Sequence, residues 1–230
     1  MSGPEGVLES EPRPPGAALV DAVAVMDRLR SPGGCPWDAE QTHASLAPYL
    51  LEEAYEAFQA IEDGDLVALR DELGDVLLQV LFHARLAEEL PDGESWSVDD
   101  VASGLVAKLE RRHPHVFGDV DVAGADEVNR NWEQIKARER GGKSPVASVP
   151  MTAPALTLAA KLQRKAAAEP TGDTTAFLEA AQRFAREDSA DAAGELLWAA
   201  VAVMRARGID AEAALRARAR VFRDKALNQG

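Results

Sequence analysis

Long stretches rich in alanine and leucine dominate the sequence, and runs of alternating β-branched residues are few. Alanine and leucine favour helices, and half-buried strands need an apolar and polar alternation that this chain lacks. The sequence therefore predicts an all-α fold. The predicted helices cover residues 17–30, 42–63, 65–89, 97–112, 126–140, 155–168, 174–187, 189–207 and 210–227.

The breaks between these helices contain proline, glycine or aspartate, the residues that end helices and form turns. The first sixteen residues are acidic and rich in proline and glycine, which predicts a disordered tail. We therefore divide the chain into a tail (1–16), a first helical domain (17–140), a linker (141–154) and a second helical half (155–230).

The net charge of −14 is concentrated in the first part of the chain. Residues 1–143 hold 29 acidic and 13 basic side chains, a balance that repels the phosphate backbone of nucleic acids. No apolar run reaches about 18 residues, so we expect no membrane span. The start of the chain lacks the features of a secretory signal, and Cys35 is the single cysteine. Both observations favour the cytoplasm.

The two parts of the chain resemble diverged copies of one helical unit. Residues 71–78 match residues 191–198 at a constant offset, with Gly74 opposite Gly194. A repeated helical unit usually packs against another copy to bury its apolar face. The sequence therefore predicts a helical bundle of two diverged repeats, packed either within one chain or across a homodimer.

Two pairs of carboxylates mark the helices predicted at 42–63 and 65–89. Glu53 and Glu56 stand three residues apart on the first helix, as do Glu72 and Asp75 on the second. An Asp63-Gly64-Asp65 turn makes these helices antiparallel neighbours, so that the four side chains can converge. Their seam continues through Gln79 and His83 between apolar stripes, and we expect it to be buried or to line a cleft. The apolar stripe beside it on the first helix is Leu50, Ala54, Ala57, Phe58 and Ile61.

Converging carboxylates need a counter-charge. Two unit charges about 4 Å apart repel by roughly 4 kcal/mol at an effective dielectric near 20, so the cluster must protonate, separate or bind cations. Oxygen ligands of this kind suit Mg²⁺ or Mn²⁺. A solvated acidic surface is the alternative for each pair taken alone. We also expect His83 to hydrogen-bond one of the carboxylates.

The carboxylate pattern resembles the signature of the MazG family of all-α nucleoside triphosphate pyrophosphohydrolases. The matching strings are Glu52-Glu53-Ala54-Tyr55-Glu56 and Glu72-Leu73-Gly74-Asp75. Three further strings resemble MazG proteins in the same order. They are residues 34–38 (Gly-Cys-Pro-Trp-Asp), residues 108–117 (Lys-Leu-Glu-Arg-Arg-His-Pro-His-Val-Phe) and residues 131–136 (Asn-Trp-Glu-Gln-Ile-Lys).

This resemblance implies Mg²⁺-dependent hydrolysis of (d)NTPs between the α- and β-phosphates, giving (d)NMP and pyrophosphate, in nucleotide-pool house-cleaning. It makes residues 17–140 the catalytic domain. The implied metal ligands are Glu53, Glu56, Glu72 and Asp75, and Glu52 and Glu53 are the candidate catalytic residues. The candidate substrate-binding residues are Lys108, Arg112, Lys136, Trp37 and Trp132.

Each of these roles has a structural alternative. Glu52 suits a salt bridge, Lys108 and Arg112 suit the end of a helix, and a tryptophan often belongs to a core or an interface. The whole chain also has alternatives, namely a catalytically silent dimerisation or regulatory module, or a related dUTPase or phosphoribosyl-ATP pyrophosphohydrolase.

The second half lacks part of the carboxylate pattern. Aligning the repeats places Glu179, Gln182, Ala192 and Glu195 opposite Glu53, Glu56, Glu72 and Asp75. Two of the four ligands are thus missing, and we expect no catalytic metal in residues 155–230.

Overall fold

The computed structural model describes residues 13–166 and 174–229. Within them the chain forms α-helices and no strand, which confirms the all-α prediction. Residues 1–12 of the predicted tail lie outside the described residues. The helices are α1 (Ala17–Arg30), α2 (Pro36–Glu40), α3 (His43–Asp63), α4 (Leu66–Ala87), α5 (Val98–Arg112), α6 (Pro114–Phe117), α7 (Ala125–Glu139), α8 (Ala155–Lys165), α9 (Thr175–Glu187), α10 (Ala190–Ala206) and α11 (Ala211–Leu227).

Contacts divide the chain into two compact units between Asp121 and Val122. The first unit holds α1 to α6, and the second holds α7 to α11 together with a 3₁₀ turn at Pro145–Ser148. The division predicted from the sequence, with a catalytic domain reaching residue 140, stays a prediction. None of the helices in the described part of the chain is both long and apolar enough to cross a membrane.

The helical hairpin of α3 and α4 is the main feature of the first unit. Gly64 ends α3 in the left-handed conformation, with a φ of 69°, which glycine adopts without a steric penalty. The Asp65 side chain then caps α4 by accepting hydrogen bonds from the backbone N–H groups of Val67 and Ala68, both at 3.0 Å. The two helices therefore run antiparallel, with their register set by this short turn.

The core of the first unit lies at the end of the hairpin that is remote from the turn. Met26, Leu46, Leu81, Phe82 and Leu86 form it, so α1, the start of α3 and the end of α4 pack together there. Near the turn several large apolar side chains are uncovered. For example, Leu66 is 77% exposed and Leu73 is 52% exposed.

The apolar stripe predicted on α3 is only partly buried. Ala57 is buried, whereas Leu50, Phe58 and Ile61 are exposed. The helical period of a stripe therefore does not by itself decide which of its side chains are covered.

Arg30 at the end of α1 is hydrogen-bonded both to α2 and to the residues that follow α4. Its side chain is only 8% exposed, and it donates two hydrogen bonds to the Glu89 carboxylate, at 2.8 and 2.9 Å. A third donor contacts the backbone carbonyl of Asp38 in α2. These hydrogen bonds lower the pKa of Glu89, and the nearby charges of Arg30 and Arg85 lower it further. The guanidinium therefore holds α1, α2 and the end of α4 together.

In the second unit, α10 packs against α8 and α9, and a buried glutamine joins α8 to α10. The Gln163 amide donates to the Trp198 carbonyl at 2.9 Å, and its oxygen accepts from Arg205 at 3.1 Å. Gln163 is 3% exposed, and both ends of its carboxamide are hydrogen-bonded. It therefore stabilises this packing without the cost of an unpaired buried group.

In the loop after α1 the backbone packs closely against Gly34. A Cβ on Gly34 would lie 2.2 Å from the Leu29 carbonyl oxygen, a backbone atom that cannot move alone. We expect Gly34→Ala to lower the free energy of unfolding by roughly 3 kcal/mol, measured by urea denaturation. Gly104→Ala in α5 is the control, because a Cβ there meets nothing within 4 Å. It should stabilise the protein by about 0.5–1 kcal/mol. Equal effects of the two changes would contradict the steric explanation.

Candidate metal and nucleotide site

The hairpin brings three of the four predicted carboxylates together. Glu53 and Glu56 of α3 and Glu72 of α4 each offer an oxygen atom within 4.8 Å of the others. Glu53 and Glu72 are half-buried, and Glu56 is exposed. Three carboxylate oxygens from two adjacent helices can therefore reach one common point.

Mutual repulsion perturbs this cluster. Partial burial raises the pKa of Glu53, and the charges of Asp75 and Glu56 raise it further. The pKa of Glu72 is raised by partial burial and then by Glu56, which also lies within hydrogen-bonding reach of it. Two carboxylates at that separation must share a proton unless a cation lies between them. The free cluster is therefore electrostatically strained.

Asp75 and Glu52 lie at the edge of the cluster, and both are exposed. Among the charged neighbours of Glu53, Asp75 raises its pKa most, and the charge of Asp75 also raises the pKa of Glu72. Glu52 contributes a weaker repulsion to Glu53. The structure thus brings Asp75 close enough to interact with the three converging carboxylates, while Glu52 lies beside them.

The donor set fits a hard divalent cation. All available ligands are carboxylate oxygens, which suit Mg²⁺ or Mn²⁺ better than a softer metal. A bound divalent cation would also remove the repulsion that raises the pKa values of Glu53 and Glu72. Along the seam that the sequence predicts to be buried or to line a cleft, Asp75 is exposed, and Glu56 at its edge on α3 is exposed as well.

The seam becomes buried one helical turn beyond Asp75. Gln79 is 4% exposed, and its side-chain oxygen accepts no hydrogen bond from residues 13–166 or 174–229. His83 follows one turn later, and its Nε2 atom is also buried and unpaired within the same described residues. The sequence placed both side chains on the seam but did not show that two buried polar atoms lack partners.

His83 pairs with another histidine, and not with a carboxylate as predicted. The Nδ1 atoms of His43 and His83 are 2.7 Å apart, the rings are tilted by only 5°, and their centroids are 5.0 Å apart. Nearly coplanar rings with touching nitrogens meet edge to edge, so one Nδ1 donates a proton and the other accepts it. The pair forms because His43 begins α3 opposite the second half of α4.

Aromatic rings surround this end of the hairpin. Trp37 in α2 is 50% exposed and meets Tyr49 and Phe82 edge-on, at centroid distances of 6.1 and 6.3 Å. Trp96 lies near His43, with centroids 6.4 Å apart. The site therefore has an acidic end near the turn and an aromatic end near the core, with Gln79 between them.

The basic candidates lie on two different helices. Lys108 and Arg112 stand one turn apart on α5, which packs against α4 in the first unit. Lys108 is exposed, and Arg112 is half-buried. Both side chains therefore belong to the same unit as the carboxylates.

Trp132 and Lys136 belong to α7 in the second unit. The Lys136 ammonium lies 4.9 Å from the centre of the Trp132 ring and 3.0 Å from the Glu133 carboxylate. Lys165 contacts the same carboxylate at 3.3 Å. Lys136 thus takes part in a cation–π contact and an ion pair within its own unit.

The hairpin of α9 and α10 shows how far the second copy has diverged. Its turn has Asp188 in the left-handed conformation and Ser189 as the cap, where the first hairpin has Gly64 and Asp65. Counting from these turns aligns Phe177, Ala180, Leu196 and Ala199 with Glu53, Glu56, Glu72 and Asp75.

This register differs from the alignment made on sequence similarity, which paired Glu179, Gln182, Ala192 and Glu195 with the ligands. The two registers differ by two residues in α9 and by one helical turn in α10. In the register of the turns, no carboxylate occupies any of the four positions in the second hairpin.

The carboxylates of the second hairpin pair with an arginine. Arg183 of α9 contacts Glu187 at 2.9 Å and Asp191 at 2.8 Å, and it also forms an ion pair with Glu195. These contacts raise the pKa of Arg183, first through Glu195. A guanidinium of the chain itself therefore balances the acidic side chains there.

Comparison with known proteins agrees with this geometry. The family model described as the MazG nucleotide pyrophosphohydrolase domain matches residues 41–117, which hold all four candidate metal ligands. The nucleoside triphosphate pyrophosphohydrolase/pyrophosphatase MazG of Thermotoga maritima is 38% identical, over 90% of this chain and 83% of that protein. The chain belongs to the MazG family. The resemblance inferred from the sequence strings is thereby confirmed.

Other relatives differ in how much of their length is matched. An uncharacterised 26.1 kDa protein of Streptomyces cacaoi is 46% identical over 91% of this chain and 81% of that protein. The nucleoside triphosphate pyrophosphohydrolase of Mycolicibacterium smegmatis is 50% identical, over 70% of this chain. This chain covers 49% of the length of that relative.

The histidine pair predicts a pH dependence of stability. Burial, followed by the influence of His43, lowers the pKa of His83 below its usual value of 6.5. The unfolded chain therefore binds this proton at a higher pH than the folded chain does. The free energy of unfolding should fall as the pH drops through about 6.5 towards the folded pKa. His83→Leu should flatten this fall, which urea midpoints at several pH values would measure. Parallel profiles for the two proteins would refute the assignment.

Proposed function

We propose that this chain is a Mg²⁺-dependent nucleoside triphosphate pyrophosphohydrolase. It cleaves (d)NTPs between the α- and β-phosphates and releases (d)NMP and pyrophosphate, which removes unwanted nucleotides from the pool. The observation that carries the proposal is the convergence of Glu53, Glu56 and Glu72 on one point, within the segment that matches the MazG domain. The names of the relatives from Thermotoga maritima and Mycolicibacterium smegmatis support the same reaction.

The four carboxylates Glu53, Glu56, Glu72 and Asp75 are the proposed ligands of the metal. A Mg²⁺ ion held by these side chains would supply charge neutralisation of the phosphates and Lewis-acid activation of the scissile phosphoanhydride. Without a cation these side chains would repel a triphosphate. Glu52 and Glu53 are the proposed catalytic residues, because their carboxylates can orient the attacking water and accept its proton.

The proposed substrate contacts use the remaining candidates. Lys108 and Arg112 present two cations from one face of α5, which suits the oxygens of a polyphosphate. Lys136 is a further phosphate ligand, and it would have to exchange its ion pair with Glu133 for the substrate. Trp37 and Trp132 are proposed to contact the base, since both rings are partly exposed.

We further propose that the chain works as a homodimer. Leu51, Ile61, Leu66, Val67 and Leu73 are all more than half exposed, and they belong to α3 and α4, the helices that carry the acidic cluster. An apolar surface of this kind next to a site usually marks a protein interface. A second copy would cover these side chains and exclude water from the carboxylates.

The second helical half is proposed to be non-catalytic, because its hairpin has no carboxylate at the four ligand positions in the register of the turns. The lone cysteine and the nucleotide substrates support a cytoplasmic location, and the acidic first part of the chain opposes binding to nucleic acid.

Removing one ligand tests the metal site. We expect Glu53→Gln and Glu72→Gln each to lower kcat/KM by at least about a hundredfold, because each removes one charged ligand from the cluster. Release of AMP and pyrophosphate from ATP with Mg²⁺ would be followed by ion-exchange chromatography. The same variants should lose most of the rise in Tm that Mg²⁺ causes in the unaltered protein.

Glu179→Gln is the matched control, since this exposed glutamate lies in α9 of the second unit. It should leave both activity and the Mg²⁺ effect unchanged. A rise in Tm with Mg²⁺ but no hydrolysis of any nucleotide would indicate a catalytically silent module. A strong preference for dUTP or phosphoribosyl-ATP would move the function to those related enzymes.

A charge on the exposed apolar surface tests the dimer. Leu73→Lys should convert the protein to a monomer in light scattering after size exclusion, and activity should fall with it, because a buried lysine without a partner is costly. Val116→Lys in α6 is the control at another exposed apolar position, and it should stay dimeric. A monomeric unaltered protein with full activity would overturn the dimer proposal.

A further inference from the structure

Two buried glutamines of this chain differ in their hydrogen bonds. Gln163 is 3% exposed, and both ends of its carboxamide are paired. Gln79 is 4% exposed, yet its side-chain oxygen has no donor among the described residues. Burying an unpaired carbonyl is costly, so a protein rarely keeps one without a use for it. Gln79 is therefore a candidate for contact with a ligand.

The position of Gln79 indicates which ligand. It follows Asp75 by one turn on the same face of α4, about 6 Å along the helix axis. A triphosphate bound at the carboxylates can extend its nucleoside in two directions along this face. Towards the turn it meets exposed side chains, because Leu66 and Val67 are largely uncovered. Towards Gln79 it meets the buried, aromatic end of the hairpin.

The aromatic end suits a base. Trp37 offers an exposed ring that is fixed edge-on by Tyr49 and Phe82, and Phe82 is three residues beyond Gln79 on α4. Bases stack on such rings whatever their identity. The unpaired oxygen of Gln79 is an acceptor, so its partner must present an N–H or O–H donor.

We propose that Gln79 is a specificity-determining residue whose carboxamide oxygen accepts a hydrogen bond from an N–H donor of the nucleobase. This inference rests on the proposed function, because it places a nucleotide at the carboxylate cluster. It assigns the base to the part of the seam between Asp75 and His83, and the phosphates to the part nearer the turn.

The experiment compares substrates that differ by one donor. ATP carries the exocyclic amine that purine riboside 5′-triphosphate lacks, and CTP carries the amine that the triphosphate of pyrimidin-2-one riboside lacks. The full-length protein should favour the amino nucleotide of at least one pair by about fivefold to tenfold in kcat/KM, the effect of one hydrogen bond. Gln79→Leu should reduce this ratio to about one.

Gln163→Leu is the control, because it removes an equally buried glutamine from the second unit. It should lower Tm, since it leaves the Arg205 donor and the Trp198 carbonyl without a partner, but it should keep the substrate ratio. Gln79→Leu should keep or raise Tm, because it removes an unpaired polar group. A fall in Tm without a change of ratio would show that Gln79 has a structural role, for example through a buried water shared with His83, and would overturn the proposal.

Two further outcomes separate the possible failures. If Gln79→Leu abolishes a preference for ATP over dATP and leaves the amine pairs unchanged, the donor is a ribose hydroxyl and the assignment to the base is wrong. If the unaltered protein cleaves no nucleotide with Mg²⁺, the proposed function itself fails. Cleavage of both members of each pair at equal rates by the unaltered protein refutes only the role of Gln79.

Discussion

The register between α3 and α4 determines everything else at this site. It is set by a turn in which Gly64 takes a left-handed conformation and Asp65 immediately caps the next helix. A shift of one residue would rotate each side chain by about 100° and separate the carboxylates. The polar face of α4 then passes from the acidic end near the turn to the buried glutamine and histidine near the core.

Along this face of α4 and its neighbour α3, the charged side chains lie at the more exposed end and the uncharged polar side chains lie at the buried end. The carboxylates lie where the protomer leaves them partly in water, which limits the cost of bringing like charges together. Gln79 and the histidine pair lie where the core excludes water, and there the side chains are neutral or share a proton. A ligand with an anionic end and an aromatic, hydrogen-bonding end complements this gradient.

The periodicity of the sequence predicted the main helices well, because amphipathic stretches between glycine and proline breaks leave few alternatives. The bounds of α1 were predicted correctly, and α3 and α5 were predicted within one residue. The short helices α2 and α6 were missed, because four or five residues carry no usable period. The approach of Glu53, Glu56 and Glu72 was also predicted, from their spacing and from the Asp63-Gly64-Asp65 turn that makes the two helices neighbours.

Other features depend on contacts between distant residues. The spacing of His43 and His83 gives no sign that they meet, and a wheel of α4 alone suggested a carboxylate partner for His83. The alignment of the repeats likewise depends on which feature sets the register. Residues 71–78 and 191–198 give one register and the two turns give another, and the position of the second turn is known only from the structure.

In the second hairpin, Arg183 neutralises the charge of the acidic side chains around it, namely Glu187, Asp191 and Glu195. A guanidinium belongs to the chain and stays charged at every physiological pH, so its ion pairs do not depend on what the solution contains. The first hairpin instead holds Glu53 and Glu72 beside other carboxylates, whose charges add to partial burial in raising the pKa of both side chains. The second hairpin thus balances acidic side chains with its own arginine, whereas the converging carboxylates of the first hairpin repel one another.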